Sequence, residues 1–131
     1  MKSKLLSIFL IIQLFACKSE KVMTFADFVE VGKIEKVMMS NNSGKFILSP
    51  EQLTEFKKQI SSMTYEPNIT VKLGAIHMIL IIDNKEYDMA TATHGDFVEI
   101  DYGLVTKNKS EFKNAFFKTN RINFDNYKKV E

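Results

Sequence analysis

The chain has 131 residues, room for one hydrophobic core but not for two. Its 18 basic and 16 acidic residues leave a formal charge of +2, without the basic surplus of a nucleic-acid-binding domain. One cysteine excludes an internal disulfide, so stability rests mainly on apolar packing.

Taken in chain order, the first sixteen residues fall into three zones. Lys2 and Lys4 open with positive charge, residues 5–15 are apolar except for Ser7 and Gln13, and Ala16 precedes Cys17. This is the order of a secretory signal. The run of about 11 residues is short of the ~20 that span a hydrocarbon core. Leu14-Phe15-Ala16-Cys17 resembles a bacterial lipobox, with Phe15 where that pattern has a smaller residue. The resemblance covers residues 1–17 only. It implies cleavage before Cys17, a diacylglyceryl thioether on its sulfur and acyl chains such as palmitate. A thiolate is the natural nucleophile for that bond, and two or more chains make the anchor stable. The implied location is the bacterial cell envelope, on a lipid anchor facing the periplasm or the cell surface. Without residues 1–16, 115 residues remain, with 16 acids balanced by 16 bases.

Residues 17–23 read as the lipid-anchored tether. About six residues reach ~20 Å at most, which holds the domain close to the membrane. Residues 24–118 read as one α+β domain and residues 119–131 as a polar C-terminal tail. Ile122, Phe124 and Tyr127 are the tail residues able to dock.

Thr24 is placed to cap a short helix, with Asp27 at its third position and Gly32 to stop it. Residues 34–39 and 45–48 read as strands around the turn Asn41-Asn42-Ser43-Gly44. The clearest helix follows. Ser49 and Gln52 form a capping-box pattern, and Pro50 suits the first helical position. Leu53, Phe56, Ile60 and Met63 recur on one face of it. Next comes an alternating strand over 69–73, with Gly74 as a bulge or bend. The apolar run 77–82 predicts a central strand, covered on both faces or with its outer face on a partner. Strands are also predicted over 86–93 and 97–102, the latter with Val98, Ile100 and Tyr102 on one face. Ser110 is placed to cap a short C-terminal helix carrying Phe112, Ala115 and Phe116 inward. The expected fold is α+β: an antiparallel sheet of about five strands in a meander of hairpins. One main helix packs on one face, and the short C-terminal helix follows.

Reactive residues are few. The lipidation residue is Cys17. Thr93, His94 and Asp96 in a turn, with His77 on a strand, contain the types for a nucleophile, a base and an orienter. His94 and Asp96 are the weak catalytic candidates, since adjacent strand residues point to opposite faces. Met38, Met39, Met78 and Met89 with His77 are types that ligate Cu(I), but methionine is also a common core filler. Glu99 and Asp101 form a spaced carboxylate pair that reads first as a solvated strand face. No motif implies a metal or a cofactor, and none is expected. The expected function is a non-enzymatic domain, held at the membrane through Cys17, that binds a protein or other envelope partner but no nucleic acid. The alternative is a small hydrolase or metal-handling lipoprotein using His94 and Asp96.

Overall fold

A computed structural model of the chain describes residues 22–93, 95–106 and 114–130. The signal and lipobox, with Cys17, lie outside the described residues, as do His94, Ser110 and Phe112.

Local chemistry sets the two best-signalled helices. Helix α1 (Phe25–Phe28) begins at Thr24, whose capping box with Asp27 closes as expected; the Thr24 amide donates to the Asp27 carboxylate at 2.8 Å. A single 3-10 turn, Val31–Lys33, then takes in Gly32. Helix α2 (Pro50–Ser61) has its full capping box. The Gln52 amide donates to Ser49 Oγ at 3.2 Å, and the Ser49 amide donates to Gln52 Oε1 at 2.9 Å. Phe56 and Ile60 are buried on its inner face, and Met63 just beyond its end is buried too.

The strands are β1 (Ile34–Asn41), β2 (Gly44–Ile47), β3 (Thr64–Tyr65), β4 (Leu73–Ile82), β5 (Lys85–Ala92), β6 (Phe97–Ile100) and β7 (Phe116–Lys118). They form one seven-stranded antiparallel sheet in the order β2-β1-β4-β5-β6-β7-β3. A single bridge between Thr24 and Thr64 extends the β3 edge. The class is α+β with one main helix, but the expected meander of about five strands is overturned. After the β1–β2 hairpin, α2 carries the chain across to the far edge, where β3 pairs with β7. The chain then returns to the middle, inserting β4 between β1 and β5.

The C-terminal helix over Ala115 and Phe116 is also overturned, because Phe116 belongs to β7. Adjacent Phe116 and Phe117 are both buried, on opposite faces, which a doubly covered strand permits. The helix that does occur, α3 (Tyr102–Thr106), starts earlier. The Asp101 carboxylate accepts from the Gly103 amide at 2.8 Å, and Tyr102 is exposed instead of continuing the inward row. The predicted strand at 69–73 contributes only Leu73.

The inner face carries the core. Val37, Met39, Met78, Leu80, Met89, Val98 and Phe117 meet α1, α2 and the C-terminal segment there. Phe25 and Phe117 pack edge to face with centroids 5.1 Å apart. Phe124 and Tyr127 are buried in the same core, each about 6 Å from the Phe56 ring at 6.0 and 5.9 Å. Among the described residues no helix is long and apolar enough to cross a membrane.

Candidate functional site

Two regions have the geometry to receive something. The first is a cleft at one end of the sheet, about 430 Å³ in volume, within the range of small-ligand sites. Its apolar floor is Ile76, Ala92, Ile122 and Phe124. One wall is the end of β5 and the following turn, with Thr91, Thr93 and Asp96. The facing wall is the C-terminal segment, with Thr119, Arg121 and Asp125.

Hydrogen bonds hold the walls together. The Thr119 hydroxyl, buried at 2% exposure, lies 2.9 Å from Gly95 O and 3.1 Å from Asp96 O as donor. Residues 119–122 form a tight turn closed by the Ile122 amide on Thr119 O. Both central residues are left-handed, Asn120 at φ 52° and Arg121 at φ 74°. Asn120 tolerates that region and braces the turn by donating to Ser62 O at 3.1 Å. Arginine has no such affinity for it, at a cost of about 1–2 kcal/mol. Arg121 is the only arginine in the chain. Asp125, opposite, is already satisfied: Asn42 donates to both its oxygens at 3.0 Å.

The second region is the outer face of the sheet, which no helix among the described residues covers. Ile47, Met38 and Ile79 stand in register across β2, β1 and β4. Ile47 is 54% exposed, and Val130 of the C-terminal segment lines the same shallow depression. Lys36, Ile81 and Glu86 form the next row. Lysines thus sit on the β1–β2 side and acids on β5.

The residues singled out from sequence separate in space. Asp96 and Thr93 line the cleft, while His94 between them lies outside the described residues. His77 is on the outer face, its Nε2 3.8 Å from Asp88 Oδ1 with both side chains largely exposed. The copper candidates are divided by the sheet: Met39, Met78 and Met89 are fully buried inside, and Met38 and His77 face outward. Asp101 caps the start of α3, accepting from the Gly103 amide at 2.8 Å, while Glu99 stands within β6. Among the described residues no three His, Cys, Asp or Glu side chains converge as metal ligands.

Residues 119–125 and Asn42 were not visible as site residues. The one signal available was the lone arginine beside an asparagine, since the cleft assembles segments far apart in sequence. Set against known proteins, the chain matches no family model, no curated protein and no solved structure.

Proposed function

We propose that this chain is an envelope lipoprotein, anchored through Cys17, whose domain binds a protein partner across the open outer face of its sheet. The anchor rests on the lipobox resemblance at residues 14–17. The observation that carries the binding role is the apolar row Ile47–Met38–Ile79, aligned across three adjacent strands, with Ile47 54% exposed and no helix over it among the described residues. An exposed apolar patch rimmed by charge is the usual mark of an interaction surface. The rim carries both signs, lysines at 36 and 45 and acids at 86 and 88. That suits a protein surface better than an anionic bilayer, which would repel the acidic half.

Intact mass tests the anchor. The membrane-purified chain should lack residues 1–16 and carry acyl chains, and Cys17→Ser should carry none. An unlipidated product cleaved elsewhere would overturn it. For the face, a photoreactive side chain at position 47 should give a protein adduct in membranes. The same group at Glu55 on α2 should not. Equal labelling at both positions would remove the face from consideration.

The alternative, a small hydrolase or metal-handling protein using His94 and Asp96, has one point in favour: Thr93 and Asp96 stand on the rim of the cleft. If His94→Ala leaves stability intact but abolishes function, that reading replaces the binding one.

A further inference from the structure

The cleft contains an isolated hydroxyl. Thr91 is 1% exposed and lines the cleft, yet no partner for its side chain exists among the described residues. No side-chain polar atom sealed from solvent lacks a partner among those residues. The Thr91 hydroxyl is therefore not sealed, and its remaining access is through the cleft. A hydroxyl of a residue 1% exposed that opens only on the cleft is one that a ligand group there would satisfy.

Two charged residues without a partner among the described residues line the same cleft. Neither the Arg121 guanidinium nor the Asp96 carboxylate has a hydrogen bond or ion pair among the described residues. Both residues line one cleft, are opposite in sign and form no ion pair with each other. Their backbones are fixed relative to one another, because the Thr119 hydroxyl ties the Arg121 turn to the Gly95–Asp96 turn. Arg121 also occupies a left-handed position that glycine would fill more easily. Strain kept at a binding wall is a pointer to use.

We propose that this cleft binds a small zwitterion of the amino-acid or short-peptide class. Its carboxylate lies on Arg121, its ammonium on Asp96, and a polar group between them meets the Thr91 hydroxyl. The guanidinium fork matches a carboxylate bidentately. The ammonium supplies donors to the one free carboxylate on the rim, since Asp125 is taken by Asn42. Ile122 and Ile76 give a short side chain an apolar wall. This site is separate from the outer face and stands whether or not that face binds a protein.

The test is calorimetric titration of the full chain in detergent with alanyl-alanine, its N-acetylated form, its C-terminal amide and a neutral disaccharide. The free dipeptide should bind, and each blocked form should bind about tenfold more weakly. Arg121→Gln should erase the difference between free acid and amide only. Asp96→Asn should erase the difference between free amine and acetylated amine only. Arg121→Gly should raise Tm while weakening binding about tenfold, and Thr91→Val should keep or raise Tm while weakening it. A gain in stability with a loss of binding is not what a structural role for either residue would produce. Binding of the disaccharide alone, no binding of any probe, or dipeptide binding indifferent to both charge substitutions would each overturn the proposal.

Discussion

Asn42 holds Asp125 by two hydrogen bonds, its backbone amide on one carboxylate oxygen and its side-chain amide on the other, both at 3.0 Å. This clasp joins the β1–β2 turn to the 3-10 turn Phe124–Asn126, whose start is capped by Asn123 accepting from the Asp125 amide. Asp125→Ala removes a charged acceptor from two donors at once. The site is partly open to water, so the loss should be about 1–2 kcal/mol. Urea unfolding would measure it. A change under a few tenths would show that water replaces the carboxylate at no cost.

The segment Asp125 holds belongs to the core. Asn41 Nδ2 donates to Phe124 O at 2.8 Å and to Tyr127 O at 2.7 Å, fixing both rings against Phe56. Burying each ring is worth roughly 1.5–3 kcal/mol. Together they match a large part of the ~5–15 kcal/mol that stabilises an ordinary domain. A chain stopped after Lys118 should therefore lose its fold, and Phe56→Ala alone should cost about 3–5 kcal/mol. Circular dichroism and amide dispersion report both. A soluble, dispersed spectrum from the truncated chain would show that residues 119–130 only cover a core complete without them.

What was legible in the sequence is what depends on near neighbours. The capping boxes at Thr24 and Ser49 close within three residues, so both helix starts were readable. A continuous apolar run exposed β4, alternation exposed β6, and strand-forming residues between turn clusters exposed β1, β2 and β5. Strands β3 and β7 are two and three residues long, too short for any period to register; β7 is held by pairing with β6, and β3 by pairing with β7. Phe116 fitted a helical spacing from Phe112 equally well, and pairing of β7 with β6 on one side and β3 on the other decides otherwise. Just upstream, Asn114 donates to Pro67 O and Ile69 O. The cleft was illegible for the same reason. Thr91, Asp96 and Arg121 meet only after the sheet has formed, and the left-handed turn at Asn120 and Arg121 lacks the glycine that would announce it.

Gly74 was readable as an irregularity, and the β4–β5 register does shift between Leu73 and His77. The physical requirement is space. A Cβ at position 74 would lie 2.6 Å from Thr93 Cα and 2.9 Å from Thr93 N, both backbone atoms that cannot swing away. Gly74→Ala should force the strand ends apart and weaken the Thr93 amide's bond to Lys72 O, now 3.1 Å. The expected cost is about 1–3 kcal/mol. Gly32→Ala is the control, since a Cβ there meets nothing within 4 Å. Chemical denaturation of the pair should separate them clearly. Equal stabilities would mean that β4 adjusts locally without strain.

Tyr127 should make stability depend on alkaline pH. Its hydroxyl donates to Gln59 Oε1 at 2.6 Å. Burial, and secondarily the negative charge of Glu55, push its pKa from 10.0 up to about 12. A raised pKa means that the folded state keeps a proton that the unfolded chain releases. The associated stability is fully present below pH 10 and is lost as pH rises through about 12. Two pH units correspond to about 2–3 kcal/mol. The measurement is the difference between wild type and Tyr127→Phe, which isolates this one phenol. Below pH 10 the variant should be less stable by about 1 kcal/mol, the worth of the Gln59 bond. Between pH 10 and 12 that gap should close and then reverse, because phenylalanine has no proton to lose in either state. A gap that stays constant across the window would mean that the Tyr127 phenol ionises as readily in the folded chain as in the unfolded one.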